Sequence, residues 1–311
     1  MNKIPLVFFG NERIATGVTT TAPTLQALIH AGYDIKAVVS NYERGTSRSA
    51  RELEIKAVAD AHKIPVLLPD KPGDILGELK SFNAEAAVLV AYGRIVPQSV
   101  IDIFPKGIIN IHPSLLPLHR GPTPLESVIL DDSKKTGVSV MRLAKAMDAG
   151  PVYGQSEVEL SGSETKQELA DQLLDIGSAM VIELLPGILS GDVIAKPQDD
   201  SFATYDSLIT KDNGRIDWTK PADQLVREIR AYAEWPKSTA TFTGKDLIII
   251  TKAHAIAGDK KTKPGTVEVL GRDLIFYCGK GALVTELLKP AGKKEMTTKE
   301  FLDGYYNNKN K

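Results

Sequence analysis

Gly107-Ile-Ile-Asn-Ile-His-Pro-Ser-Leu-Leu-Pro-Leu-His-Arg-Gly121 decides how the rest of the chain is read. Ile108, Ile109 and Ile111 form a short β-branched apolar run, the pattern of a strand buried on both faces of a parallel sheet. Asn110 and His112 interrupt that run two residues apart, so on a strand both side chains point to one face. Pro113 brings no N–H to the ladder and ends it. Ser114-Leu-Leu-Pro117 is then a loop leaving the carboxyl end of a strand, where open α/β sheets place their ligands.

A primary amide beside an imidazole suits chemistry at a carbonyl. The amide can donate to a developing oxyanion, and the imidazole can donate or relay a proton near neutral pH. The alternative is a polar pair that only closes a strand end, a common role for such residues. Two of them on one strand face, meeting a proline-bounded loop, favour the chemical reading. The stretch alone names neither the carbonyl nor the nucleophile.

Working outward, residues 6–9 predict a first strand, with Gly10 permitting the turn after it. Asn11-Glu-Arg-Ile-Ala-Thr-Gly17 does not complete G-x-G-x-x-G, so no dinucleotide site is expected. A helix over 23–31, a strand at 35–39, a helix over 52–62, a strand at 66–68, a helix over 75–82 and a strand at 86–90 follow. The last runs into Ala91-Tyr-Gly-Arg-Ile-Val-Pro97, a second strand-end loop where Gly93 lets backbone approach a ligand. Beyond the central stretch come a helix over 122–130 and strands at 136–143 and 152–157. A long helix opens on the capping box Thr165-x-x-Glu168 and closes at Gly191. Strands alternating with helices predict an α/β fold with a doubly wound, mostly parallel sheet.

Residues 195–206 are polar and read as a linker between a domain over 1–194 and a second over 207–311. After a helix at 222–232, five short strands (239–242, 247–253, 265–270, 273–278 and 282–288) are separated by Gly-rich turns. That spacing predicts a small OB-like β-barrel. A length of 311 residues agrees with two domains. From Asp206 onward there are 19 basic and 14 acidic residues, against 19 and 25 before it. A basic module on an acidic body points to a polyanionic partner, with scattered surface lysines as the alternative.

The single Cys278 leaves no internal disulfide and no cysteine-based zinc site, so a cytoplasmic location is expected. No run of about 18 apolar residues stands out as a membrane span. His30, His62, His112, His119 and His254 show no ligand spacing, and no metal is expected. The polar stretch 41–51, with Arg44, Arg48 and Arg51, is either a solvated connector or a basic flap over a phosphate-bearing substrate. Asp148 lies in a Gly-rich turn between two strands, from which a carboxylate could reach His112 and fix its tautomer. A turn-forming role is its alternative.

Asn110-Ile-His112-Pro-Ser-Leu-Leu-Pro117, Arg120-Gly121 and Met147-Asp148-Ala-Gly150 resemble the signature of the formyltransferases that use 10-formyltetrahydrofolate. The resemblance implies a Rossmann-like formyltransferase domain in which Asn110, His112 and Asp148 surround the formyl carbon. It implies a folate pocket lined by Ser114, Leu115, Leu116 and Pro117, to which the second strand-end loop adds Tyr92 and Gly93. Leu208-Ile-Thr-Lys-Asp-Asn-Gly-Arg-Ile-Asp-Trp218, Ile229-Arg-Ala-Tyr-Ala-Glu-Trp-Pro236 and Leu288-Lys-Pro-Ala-Gly-Lys-Lys-Glu-Met296 resemble the methionyl-tRNA formyltransferase family. By that resemblance the acceptor is initiator methionyl-tRNA and the co-substrate is 10-formyltetrahydrofolate; a monomer without membrane association is expected. Arg44 and Arg48 match a basic insertion that enters the acceptor stem, and Lys211, Arg215, Lys293 and Lys294 are candidate phosphate contacts. A nucleotide-linked amino sugar is the alternative acceptor. The sequence departs from the family pattern at Gly10-Asn-Glu-Arg-Ile-Ala, which replaces Gly-Thr-Pro-x-Phe-Ala. It departs again at His119 and at Gly-Pro-Thr-Pro, in place of Gly-Ala-Ala-Pro.

Overall fold

The computed structural model describes residues 4–41, 53–242, 247–259 and 261–306. They form two compact units, the first taking in residues up to 125, 134–160 and 167–207, the second 126–133, 161–166 and the chain from 208.

Seven strands build the sheet of the first unit: β1 (Pro5–Gly10), β2 (Asp34–Val39), β3 (Val66–Leu67), β4 (Ala86–Val90), β5 (Ile108–His112), β6 (Lys135–Arg142) and β7 (Val152–Glu159). Their order is β3-β2-β1-β4-β5-β6-β7. Pairing is parallel from β3 to β5 and antiparallel from β5 to β7. The sheet is mostly parallel, as the alternation of elements predicts, but β5 is where the parallel part stops. Leu89 lies opposite Asn110 on one side, and Ser139 lies opposite His112 on the other. The helices of this part of the chain are α1 (Pro23–His30), α2 (Glu54–Ala61), α3 (Leu76–Ser81), α4 (Gln98–Ile101), α5 (Pro124–Leu130) and α6 (Lys166–Ser190).

Every residue of β4 and β5 is buried. Each Val, Leu or Ile so placed contributes roughly 1.5–3 kcal/mol of transfer free energy. The faces of β5 are fixed by α6. A Cβ on Gly177 would stand 2.6 Å from Ile111 Cγ2, so Ile111 packs directly against the helix backbone. Asn110 and His112, one residue to either side, therefore emerge on the opposite face. By length and composition alone α6 is apolar enough to cross a membrane, a feature that the sequence reading passed over. In this fold its Leu169, Leu173, Val181 and Leu185 are core residues.

The stretch read as a linker belongs to the first unit. Lys196 and Val152 exchange backbone hydrogen bonds, both 2.8 Å. Thr204 N–H donates to Pro117 O (3.2 Å), Arg120 N–H to Thr204 O (2.9 Å) and Asp206 N–H to Arg120 O (2.8 Å). Residues 196–206 are thus a strap whose 204–206 segment lies along 117–120. Its binding is polar, through main-chain and side-chain hydrogen bonds alike, which leaves no hydrophobic periodicity in the sequence.

In the second unit α7 (Ala222–Ala231) precedes β8 (Ser238–Thr241), β9 (Leu247–Ile256), β10 (Val267–Leu270), β11 (Asp273–Tyr277), β12 (Ala282–Pro290), β13 (Met296–Thr297) and α8 (Thr298–Phe301). The sheet runs β10-β11-β12-β9-β8, with β13 paired to β12, and every pairing is antiparallel. Five of these strands are those the sequence predicts, and the two-residue β13 is additional. Leu225 and Ile229 of α7 pack with Ile248, Ile250, Leu274, Phe276, Leu283 and Leu288, and Trp218 stacks on Phe276 at 4.5 Å between ring centroids. A buried ion pair sits in the same unit. Lys166, with no exposed surface, places Nζ 3.3 Å from Glu126 Oε1, 3.3 Å from Trp235 O and 3.6 Å from Glu234 Oε2. Burial raises the Glu126 pKa above the ordinary carboxylate value, and the Lys166 charge opposes the rise.

Candidate active site

The carboxyl end of β5 and the loops around it place Asn110, His112 and Asp148 together. His112 is 5% exposed, and its Nε2 lies 2.9 Å from His119 O. A carbonyl only accepts, so Nε2 carries the hydrogen and donates. The other ring nitrogen, Nδ1, faces Asp148 Oδ2 at 3.8 Å, beyond hydrogen-bond length. Asp148 adopts a left-handed conformation (φ 48°), tolerated by a short polar side chain, and its Oδ2 accepts the Gly121 N–H at 2.9 Å. Asn110 is 6% exposed, and among the described residues no protein group takes its side-chain amide.

The Ser114–Pro117 loop is pinned from within. Ser114 Oγ donates to Leu118 O (2.6 Å), and its carbonyl accepts from Ser139 Oγ (2.6 Å). Ser139 Oγ accepts in turn from Leu116 N–H (3.0 Å) and Gln155 Nε2 (2.9 Å). The Ser114 hydroxyl is therefore committed to shaping the loop. Leu115 lies over Gly137 of β6, where a Cβ would come within 2.6 Å of Leu115 Cδ2. Leu116 is buried, and Leu115 and Pro117 are half-buried. In the second strand-end loop Tyr92 is buried edge-on against Phe9, ring centroids 5.5 Å apart. Its hydroxyl has no partner among the described residues, and burial raises its pKa above that of an ordinary phenol. Gly93 is exposed at φ 71°.

Arg120 has a larger part than its place in the motif suggests. Its guanidinium, 1% exposed, donates through Nε and Nη2 to Gln198 Oε1 (3.1 and 2.8 Å), through Nη1 to Tyr205 Oη (2.9 Å) and through Nη2 to Asp200 Oδ1 (2.6 Å). Burial works against that charge, but the hydrogen bonds that Arg120 donates to Asp200 and Tyr205 outweigh it, and the Arg120 pKa rises. His119 Nδ1 stands 3.2 Å from Asp206 Oδ1. Gln198, Asp200, Tyr205 and Asp206 all come from the strap, and sequence reasoning missed them. Glu12 was missed as well: fully buried, it accepts the N–H groups of Thr24 (2.9 Å) and Leu25 (2.8 Å) at the start of α1. Desolvation pushes its pKa up to about 7, although those same hydrogen bonds pull it down. Ala22, at the N-cap, has no side chain that could cap the helix, and an acidic residue eleven positions before the helix was the only available signal.

Of the residues predicted to meet nucleic acid, Arg44 and Arg48 lie outside the described residues. Lys211, Arg215, Lys293 and Lys294 are exposed in the second unit, the first pair around a short 3₁₀ turn and the second after β12. Arg215 Nε is 3.6 Å from Asp212 Oδ1.

Residues 12–185 match the formyl transferase family, and residues 208–306 match the formyl transferase C-terminal domain. The chain belongs to the formyl transferase family. This formyl transferase is 37% identical over 309 residues to a methionyl-tRNA formyltransferase of Chloroflexus aggregans, covering 97% of both chains. It is 34% identical over 308 residues to one from Lachnospira eligens, covering 96% of both. Among solved structures it is similar in fold to an N-formyltransferase of Helicobacter canadensis in complex with folinic acid and dTDP-3-aminofucose. That likeness has a TM-score of 0.66 at 17% identity and covers 92% of this chain and 99% of that one. HypX of Aquifex aeolicus in complex with tetrahydrofolic acid gives a TM-score of 0.62 at 17% identity, covering 98% of this chain and 48% of that one.

Proposed function

We propose that this formyl transferase moves the formyl group of 10-formyltetrahydrofolate to the free α-amine of initiator methionyl-tRNA. The observation that carries the reading is likeness along the whole chain, in both units, to relatives named for that reaction. The bound folate supplies an activated one-carbon acyl group. The residues at the end of β5 fit such a donor: Asn110 presents a buried amide that no protein group takes among the described residues, suited to an acyl oxygen. Ser114, Leu115, Leu116 and Pro117, with Tyr92 and Gly93, would line the slot for its ring system.

Asn110 stabilises negative charge as it develops on the formyl oxygen. His112, its Nε2–H held by His119 O, presents Nδ1 towards Asp148 and can hold a proton there. Asp148, facing Nδ1, offers an oxygen to the ammonium proton lost on attack, directly or through water. In the second unit Lys211, Arg215, Lys293 and Lys294, with Arg44 and Arg48 of the first, would neutralise tRNA phosphates, positioning the acceptor without reading bases. The enzyme would work in the cytoplasm as a monomer, with no metal.

The test is transfer of radiolabelled formyl to initiator methionyl-tRNA, elongator methionyl-tRNA and a nucleotide-linked amino sugar. Transfer to the initiator form is expected to dominate. Formylation of the amino sugar with none of methionyl-tRNA would overturn the assignment.

A further inference from the structure

Asp148 is held by a closed ring of contacts, and Gln198 is the part of it that no sequence motif marks. Asp148 Oδ2 accepts the Gly121 N–H at 2.9 Å. The backbone oxygen of Asp148 accepts Gln198 Nε2 at 2.7 Å, and the same nitrogen donates to Gly150 O at 2.7 Å. At the other end Gln198 Oε1 takes both Nε and Nη2 of Arg120. Arg120 is covalently followed by Gly121, which closes the ring back on the Asp148 carboxylate. A guanidinium only donates and a carbonyl only accepts, so the two ends of the amide cannot be exchanged. Arg120 is itself fixed by Tyr205 and Asp200. The brace therefore joins the two loops that meet at His112, one carrying its carbonyl partner His119 and the other carrying Asp148.

We infer that Gln198 is a positioning residue for formyl transfer, setting the 148–150 turn so that the Asp148 carboxylate stays against His112 Nδ1. This rests on the reading above that Asp148 and His112 carry the chemistry. A side chain that only stabilised the fold would be indifferent to what stands at position 148. A brace acting through Asp148 is not. The Asp148 carboxylate already faces His112 at 3.8 Å, so a modest shift of the turn breaks the contact.

The experiment compares Gln198→Glu, Gln198→Leu, Asp148→Asn and the Asp148→Asn/Gln198→Leu double variant in the full-length enzyme. Measured quantities are kcat, KM for each substrate, and thermal unfolding. Glu at 198 can still accept from Arg120 but cannot donate to the Asp148 and Gly150 carbonyls. Misplacement of a reacting group by about 1 Å can cost on the order of a hundredfold, so a fall in kcat of about tenfold is expected for Gln198→Glu and Gln198→Leu, with each KM within about twofold. In the Asp148→Asn background the Leu substitution should add less than about twofold, because the group it positions is already disabled. If Gln198→Leu fails to fold, Gln198→Glu alone carries the test. A wild-type kcat for Gln198→Glu, or a full additional loss in the double variant, overturns the inference while leaving the role of Asp148 intact. A wild-type kcat for Asp148→Asn would instead overturn the catalytic reading, and the inference with it.

Discussion

Replacing Lys166 with Met removes one charge from the interior and leaves its partner behind. Glu126 is 1% exposed, and its Oε2 lacks a hydrogen-bond partner among the described residues. Lys166 is the cation against its other oxygen. Breaking a buried ion pair from one side typically costs about 3–5 kcal/mol, because the surviving charge has neither water nor counter-ion. At roughly 2–4 °C per kcal/mol for a chain of this size class, that is a fall in Tm of about 6–20 °C at pH 8. The sign of the pH dependence follows from the raised pKa of Glu126. Folding favours its protonated form, so the associated stability is present below the unfolded carboxylate value of 4.5 and is lost as pH rises through the folded value. Without the Lys166 charge to oppose burial, that folded value climbs further. The deficit of Lys166→Met relative to wild type should therefore be small at pH 5 and large at pH 8, and Glu126→Gln in the same background should recover part of it. Thermal unfolding of the three proteins at both pH values measures this. A variant within about 1 kcal/mol of wild type at pH 8, or a deficit that does not shrink at pH 5, would refute the reasoning.

Asn110→Ala should lower kcat by about 10²–10³ with little change in fold stability, the usual loss for one oxyanion donor; a rate within a few-fold of wild type removes that role. Glu12 has a folded pKa of about 7 against an ordinary carboxylate value of 4.5, so its contribution is present below 4.5 and lost as pH rises through 7. Wild type should lose about 2–3 kcal/mol between pH 5 and 8 that Glu12→Gln does not, read by urea unfolding at both pH values. Affinity for tRNA should fall steeply with salt if several phosphates are neutralised, and filter binding across a salt series that gave a flat response would remove the phosphate contacts.

The elements were legible where burial imposes a period. The all-apolar β4, the Ile run of β5 and the capping box before α6 each announce themselves, because a buried strand or helix face constrains successive residue types. The joint location of Asn110 and His112 follows from strand alternation alone. Asp148 was within reach only as a carboxylate in a turn at a strand end. The strap was not legible. Gln198, Asp200 and Tyr205 act through hydrogen bonds to a loop some eighty residues earlier, and such pairings follow no spacing rule. The antiparallel turn of the sheet after β5 was hidden for another reason: the chain between β5 and β6 carries α5, the kind of long connection that a parallel crossover also uses.

The second unit draws on three separated pieces of chain. A fragment ending at residue 207 would keep Lys166 and Glu126 yet lose Trp235 and Glu234, stranding a desolvated pair where the intact protein has a four-membered cluster. Exchanging the carboxyl-terminal third with that of a relative would meet the same obstacle. Hybrid enzymes of this family should thus survive grafting only when residues 126–133 and 161–166 travel with the transplanted part.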